Sequence, residues 1–406
     1  MKYIAILGYG VVGGGVTAVI EENRGRIKAV VGDDVDVKYI LDLRDFPDSP
    51  YADRVVHDAS VIMDDPDVVL VAETMGGPHP ALELSLEAMK RGKHVVTSNK
   101  EVVASFGDVL LGCAAENGVS YLFEASVGGG IPLIRPFFTS LAGDTVVSVS
   151  GILNGTTNFI LSRMKSDKSD FGDALDEARA LGYAERDPSA DIDGIDAKRK
   201  IIILAALASG VLADDGEVRA ETISDITPAD VDAAERAGRV IKLIGTYRRS
   251  GGDHVLYVCP QMVRKDDVLA SVNDVYNAVR VCCPVTGDVM FYGRGAGRFP
   301  TAGAIVSDIC AALSGAAAAE RAPVFRKVPG AVPDFDLIPF NYYVRVSVDS
   351  PTDAEEAFRR FFDRVEPVPS SPAGVAEFIC GAATRRDLSL FLSSFGGAES
   401  VIRLAE

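Results

Sequence analysis

The chain has 406 residues, 48% of them hydrophobic, enough for two or three domains with sizeable cores. Forty-one basic against 58 acidic residues leave a net charge of −17, which argues against nucleic acid or an anionic membrane as a partner. No apolar run reaches the roughly 18 residues of a membrane helix, and the scattered cysteines, with no CxxC, read as reduced thiols of a cytoplasmic protein without a signal peptide. The four histidines lie outside ligand spacing, which argues against a zinc site.

Residues 2–7 read as a short apolar strand running into Gly8-Tyr-Gly10-Val11-Val12-Gly13 and a helix to about Glu22. GxGxxG between a strand and a helix predicts dinucleotide binding. Gly8 permits the tight turn, Gly10 the approach of a pyrophosphate, and Gly13 close packing of helix on strand. The helix N–H groups face the phosphate. The plainer alternative is a turn that binds nothing.

Residues 35–41 form the next strand. Asp42 at its end can hold both ribose hydroxyls of NAD and repel a 2′-phosphate, whereas Arg44 and Arg54 nearby can do the opposite. Residues 66–72 and 93–97 are further strands, ending in Glu73-Thr74-Met-Gly-Gly-Pro78 and Ser98-Asn99-Lys100. Loops at the carboxyl ends of parallel strands face the cofactor crevice. Lys100 is otherwise a solvated loop lysine. A helix to Asn117 and a strand over 120–123 complete an alternation that argues for a doubly wound parallel sheet.

Glu124-Ala-Ser-Val127-Gly-Gly129-Gly-Ile131-Pro132 breaks that rhythm and marks the exit from the first domain. Three glycines before a proline imply unusual backbone or a close contact. Exposed carbonyls there can hold a cation; a hinge is the alternative. Residues 145–153 read as a strand, and Asn154-Gly-Thr-Thr-Asn158 as the cap of a helix beginning near Phe159.

The most informative stretch runs from Gly182-Tyr-Ala-Glu185 through Asp191, Asp193, Gly194 and Asp196 to Lys200, and then into the apolar residues 201–208. Pro188 and Gly194 make its first half a loop, and Asp193 reads as the N-cap of a helix from Ile195 to Gly210. Asp196 and Lys200, four apart, share one face of that helix. Glu185, Asp191, Asp196 and Lys200 can therefore converge at its start. Carboxylates there would hold the ammonium of an amino-acid substrate and the lysine would transfer a proton. On spacing alone, a capping pair and an ordinary surface ion pair outweigh that reading.

Candidate strands at 240–247, 255–262 and 279–281 make the middle region α+β and mostly antiparallel. Gly293-Arg-Gly-Ala-Gly297 opens a helix to about Leu313, where the chain returns to close the nucleotide domain. After an alanine- and proline-rich span come strands at 342–348, 374–381 and 400–405 with helices at 354–365 and 385–394. With one strand unresolved, this is a βαββαβ pattern and predicts a separate small domain.

These motifs together resemble homoserine dehydrogenases. The resemblance rests on Gly8-x-Gly-x-x-Gly13, Gly92-Lys-His-Val-Val-Thr-Ser-Asn-Lys100, Glu124 to Pro132, Gly151-Ile-Leu-Asn-Gly-Thr-Thr-Asn158, Gly182-Tyr-Ala-Glu185 through Lys200, and Gly293 to Gly297. It implies an α/β fold: a Rossmann-type nucleotide-binding domain over 1–130 completed by about 290–320, and a central α+β substrate-binding and dimerisation domain over 131–289. A linker over 321–339 and a small ACT-like domain over 340–406 follow. The implied reaction is the NAD- or NADP-dependent interconversion of L-homoserine and L-aspartate 4-semialdehyde, in a homodimer or dimer of dimers.

Residue by residue, the resemblance puts the acid–base lysine on Lys200 and a second active-site lysine on Lys100. Substrate-binding acids fall on Glu185, Asp191 and Asp196. Cofactor contacts fall on Gly8, Gly10, Val11, Val12, Gly13, Asp42, Thr74, Ser98, Lys100, Gly182 and Gly297. A monovalent-cation loop (Na+ or K+) falls on Glu124, Val127, Gly129 and Ile131. Leu41 stands where some members carry an arginine, which weakens a strict preference for NADP. The turn after the first strand of the tail, Asp349-Ser-Pro-Thr-Asp353, lacks the glycine of ACT effector sites and predicts no strong threonine inhibition. Two competing readings are a non-catalytic amino-acid sensor and a dehydrogenase of another small hydroxy acid. A sensor would have no use for an acid–base lysine.

Overall fold

The computed structural model describes residues 1–319 and 323–405. The chain divides into two compact units, the first comprising Met1–Val149, Ile202–Asp215 and Arg280–Pro329, the second Ser150–Ile201, Gly216–Val279 and Gly330–Glu406.

The main sheet of the first unit has six strands among the described residues: β1 (Lys2–Leu7), β2 (Val35–Leu41), β3 (Val55–Val56), β4 (Val68–Glu73), β5 (His94–Thr97) and β6 (Tyr121–Leu122). Their order is β3-β2-β1-β4-β5-β6 and every pairing is parallel. The chain winds outward from β1 on one side and returns on the other with β4. The loops after β1 and β4 therefore part at the carboxyl edge, where ligands bind in such sheets. Ile4, Ile6, Leu70, Ala72 and Val96 bury one core with Val16 and Ile20 of the helix Val11–Glu22. Ala302, Ile305 and Ile309 of the late helix Arg298–Leu313 belong to the same core. The second glycine-rich loop thus does return the chain to the nucleotide unit.

This unit continues to Val149, past residue 130. The Glu124 carboxylate accepts hydrogen bonds from the backbone N–H groups of Leu133, Ile134 and Arg135 at 2.5, 2.6 and 2.9 Å, tying the chain beyond it to this unit.

The second unit is built on β7 (Ser148–Ile152), β8 (Arg239–Ser250), β9 (Asp253–Arg264), β10 (Tyr276–Cys283), β11 (Phe340–Ser347), β12 (Val365–Pro367), β13 (Val375–Ala383) and β14 (Ser400–Leu404). They run in the order β10-β7-β8-β9-β14-β11-β13-β12. β8 and β9 form a long antiparallel hairpin, as the middle region's pattern predicts. The helix after β7 spans Gly155–Ser166 rather than starting near Phe159, because the Asn154 side chain accepts from Thr157 N and caps it there. Asp193 ends the helical turn Ser189–Ile192 instead of capping the long helix; Gly194, with φ +73°, stands between it and the helix Ile195–Ser209.

The tail shows the βαββαβ order, and the strand unresolved in the sequence is β12, three residues ending in a proline. It is not a separate body. β14 pairs in parallel with β9 through Gln261–Arg403 and Met262–Leu404, so one sheet runs through both regions. Val255, Tyr257 and Cys259 of β9 share a core with Phe335, Phe340, Tyr342 and Val344. Two ion pairs with buried acids cross the same seam, Arg345–Asp230 at 3.1 Å and Arg236–Glu377 at 2.6 Å. Of the expected linker, residues 321 and 322 lie outside the described residues, as does residue 406 of the tail. The rest is ordered into the units: Arg326–Lys327 pairs with Val211–Leu212 in the first, and Phe335 and Ile338 are buried in the second.

Truncation near residue 335 should therefore destabilise what remains. It strips the flank of β9 and leaves the Asp230 carboxylate buried without its guanidinium, a loss of roughly 3–5 kcal/mol by itself. The expected result is a truncated protein that aggregates or melts well below the full chain in a calorimetric scan. An unchanged melting temperature would show the tail to be an independent domain.

Candidate active site

The phosphate-loop geometry is complete in the first unit. Gly8 follows β1 at φ +90°, and Gly10 precedes the helix with nothing packed within 4 Å of the place a Cβ would take. Val11 begins that helix exposed, Val12 is half-buried, and a Cβ on Gly13 would stand 2.2 Å from the Gly8 carbonyl oxygen. The helix can lie this close to the strand only with glycine there. Thr74, after β4, donates its hydroxyl to Gly8 O at 2.6 Å and so fixes the turn.

Asp42 follows β2, with one carboxylate oxygen on Tyr9 N at 2.8 Å and both oxygens on the Arg44 guanidinium at 3.0 and 3.1 Å. Arg44 is the main reason its carboxyl is lowered to about 2, with the Tyr9 and Arg44 backbone N–H groups adding to it. Ser98 and Lys100 come after β5. Ser98 N reaches Glu73 O at 3.4 Å, and Lys100 is the first residue of the helix Lys100–Glu116, capped by Asn99.

Gly297, at φ +124°, precedes the helix Arg298–Leu313, whose first residue donates to Gly14 O at 3.1 Å. In the loop Glu124 to Ile131, a Cβ on Gly129 would stand 2.6 Å from Gly295 O, so the glycine triplet answers a close contact with the second glycine-rich loop.

Sequence reasoning gave no role to Glu73, the last residue of β4. It is fully buried and accepts from Met75 N at 2.7 Å and from the Thr97 hydroxyl at 2.5 Å. Burial pushes its carboxyl up to about 7 against these hydrogen bonds and that of the Asn99 side chain. A folded-state value above the ordinary 4.5 makes its contribution to stability greatest below pH 4.5 and lost as pH rises through about 7. Replacing it by Gln should remove a loss on the order of 3 kcal/mol between those limits. Denaturant titrations from pH 4.5 to 8 would show the wild type losing stability relative to Glu73→Gln; parallel profiles would contradict the buried acid.

The helix Ile195–Ser209, whose first two turns belong to the second unit, brings Asp196 and Lys200 onto one face, both buried. Lys200 Nζ donates to Asp196 Oδ2 at 2.6 Å and to Leu153 O at 2.7 Å. Asp191, in the preceding turn, joins through Asn154, whose Nδ2 donates to Asp191 Oδ1 at 2.7 Å and to Asp196 Oδ2 at 2.9 Å. Burial first, then the charge of Asp196, raises the Asp191 carboxyl above its ordinary value, while Asn154 and Lys200 pull it down. The surface-pair alternative for Asp196 and Lys200 fails here: both side chains are 9% exposed.

Glu185 is exposed in the loop after the helix Phe171–Ala180 and stands outside this network; Gly182, also exposed, ends that helix at φ +74°. Asn154 is the member sequence reasoning missed. Its cap signature was visible in Asn-Gly-Thr-Thr, but its amide does a second task, bridging two carboxylates. Asn154→Ala should lower kcat/KM about tenfold or more, since hydrogen bonds to charged groups contribute about 1.5–3 kcal/mol, and should cost about 1 kcal/mol of stability for the lost cap. Steady-state kinetics with a thermal melt separate the two effects. Wild-type kcat/KM would mean that Asp191 and Asp196 hold their places without it.

A doubly wound parallel sheet with an open glycine turn, and a buried lysine held by a carboxylate and a backbone carbonyl, are the features of a nicotinamide-dinucleotide oxidoreductase. Residues 8–124 match the NAD-binding domain of homoserine dehydrogenase, and residues 132–310 the homoserine dehydrogenase domain proper. A homoserine dehydrogenase of Synechocystis is 45% identical over 75% of this chain and 72% of its own. The crystal structure of a homoserine dehydrogenase from Thiobacillus denitrificans superposes with a TM-score of 0.89 at 31% identity, over 100% of this chain and 98% of that one. A hyperthermophilic archaeal homoserine dehydrogenase, solved in complex with NADPH, gives 0.66 at 27% identity over 77% and 98%. The chain belongs to the homoserine dehydrogenase family. It is an enzyme of amino-acid biosynthesis, interconverting L-homoserine and L-aspartate 4-semialdehyde with NAD(P). Among the described residues no helix is long and apolar enough to cross a membrane.

Proposed function

We propose that Lys200 is the acid–base group of this reaction and that Asp191 and Asp196 hold the amino-acid end of the substrate. The observation that carries the reading is the buried Lys200 ammonium, fixed by Asp196 and by Leu153 O. Bound NAD(P) supplies the hydride acceptor or donor. As hydride arrives at the aldehyde carbon, Lys200 gives its proton to the carbonyl oxygen; in the reverse direction the neutral amine takes the proton from the homoserine hydroxyl. Asp196 orients the lysine through its 2.6 Å hydrogen bond. Asp191 and the exposed Glu185 receive the substrate ammonium, and Lys100, at the start of its helix, is the second active-site lysine.

Gly10, Val11, Val12, Thr74 and Ser98 would hold the cofactor, with Gly182 and Gly297 as further contacts. Asp42 favours NAD through the ribose hydroxyls, and the exposed Arg44 paired with it is the group that would meet a 2′-phosphate. A monovalent cation fits the loop at Glu124, Val127, Gly129 and Ile131. Among the described residues, none of these four backbone carbonyls accepts a hydrogen bond, and carbonyl oxygens are the donors a hard cation takes. It would hold that loop in one conformation.

The six free cysteines suit a cytoplasmic enzyme, and we infer a homodimer or larger even assembly built through the central region. The βαββαβ tail is read as ACT-like without strong response to threonine.

Absorbance at the reduced-nicotinamide band with homoserine, and with aspartate semialdehyde, tests the reading. Lys200→Ala should lower kcat by roughly 10²–10⁴ with cofactor affinity intact, and Glu185→Ala should act mainly on KM for homoserine. Near-normal kcat in the lysine variant would move the proton transfer to Lys100.

A further inference from the structure

We propose that Glu73 is a positioning residue of the cofactor crevice: its buried carboxyl locks the loops after β4 and β5 into one arrangement, so that Thr74, Ser98 and Lys100 are presented together. The proposal rests on the reading that these loops contact NAD(P).

Glu73 closes β4 at the carboxyl edge of the sheet, beside the switch point, and is fully buried. One oxygen takes Met75 N at 2.7 Å, bending the loop after β4 back on its own strand end. The other takes the Thr97 hydroxyl at 2.5 Å, at the end of neighbouring β5. Thr97 Oγ1 accepts in turn from Asn99 N at 2.9 Å. Asn99 then works in both directions. Its Nδ2 donates to Gly77 O at 2.7 Å, returning to the loop after β4, and its Oδ1 caps the helix that Lys100 begins, through Val102 N at 3.2 Å. Thr74, next to Glu73, holds Gly8 O at 2.6 Å and carries the linkage to the phosphate turn. One carboxyl thus joins the loops after β4 and β5, and the neighbouring Thr74 hydroxyl extends the linkage to the phosphate turn.

None of its partners is a cation; they are a hydroxyl, a backbone N–H and an amide. A buried acid without a basic partner is costly, and an apolar side chain would fill the same space without that cost. What the acid adds is acceptance at both oxygens toward two different strand ends. Burial lifts its carboxyl toward neutrality, in line with this unpaired placement.

The test uses the full chain, with NADPH and NADH titrated by fluorescence and kcat and KM measured for both substrates. Glu73→Gln should weaken reduced-cofactor binding about ten- to a hundred-fold, the scale of loss when a supporting contact misplaces reacting groups, with KM for homoserine changed less than twofold. Thr97→Val should reproduce the effect from the other end of the hydrogen bond, and Thr97→Ser, which keeps the hydroxyl, should restore wild-type binding. The serine and valine pair keeps the proposal open to refutation even where a Glu73 variant fails to fold. Wild-type cofactor affinity in Glu73→Gln, or equal behaviour of the serine and valine variants, overturns it while leaving the cofactor reading intact. A wild-type protein that binds neither NADPH nor NADH overturns that reading, and this proposal with it.

Discussion

An ammonium group buried against one carboxylate and one backbone carbonyl is the constraint on which the helix Ile195–Ser209 depends. Lys200 and Asp196 are each 9% exposed and 2.6 Å apart. Taking two such charges out of water costs several kcal/mol per ion, and their attraction offsets it only where the geometry is good and the remaining donors and acceptors are filled. Here Leu153 O accepts a hydrogen bond from a second lysine N–H, and the Asn154 amide donates to Asp196. The next turns of the same helix supply the remaining stabilisation. Ile201 to Ala206 are all at most 1% exposed, and a buried aliphatic side chain contributes about 1.5–3 kcal/mol. An apolar helix anchored in the core thus presents a charged first turn that could not hold its position alone.

The first unit solves a different problem, how to leave backbone open to a ligand while the rest of the chain closes. At Gly13 the helix touches the strand turn, and at Gly129 one loop touches another, so that neither place admits a side chain. At Gly10 nothing approaches. Glycine serves contact in the first two places and vacancy in the third. The GxGxxG spacing encodes both uses, since the residue that lets the helix pack lies three positions beyond the one that stays open.

Legibility in the sequence depends on the range of each interaction. Strand β1, the phosphate turn and the Asp196–Lys200 pairing are local patterns, set within a few residues, and all were visible as spacing. The helix after β7 was misplaced because an asparagine cap is decided by where its side chain turns, not by the apolar period. Asn154 and Glu73 were not recognised as site residues for a related reason: each acts through partners 24 to 42 positions away. No periodicity marks them, and an isolated Asn or Glu in a sequence carries no sign of burial. The tail was legible as βαββαβ but not as part of the larger sheet, since pairing of β14 with β9 joins residues far apart along the chain, and edge pairing leaves no trace in either strand's own pattern.

The acids also show why residue type alone does not assign roles. Asp42, Asp191 and Glu73 each lie in or beside a loop at the proposed site, yet their surroundings push them apart. Arg44 and backbone donors hold Asp42 at about 2, so it is an anion at any working pH. Burial and a neighbouring carboxylate raise Asp191, which leaves it ready to gain from an arriving ammonium: a substrate cation would restore the charge balance that Asp196 upsets. Glu73, with no basic partner, is lifted to about 7 by burial and is left with hydrogen bonding as its one remaining function. A permanent anion suits recognition of a neutral diol, a raised carboxyl suits capture of a cation, and a buried near-neutral one suits the joining of loops. Environment, more than identity, divides the labour among them.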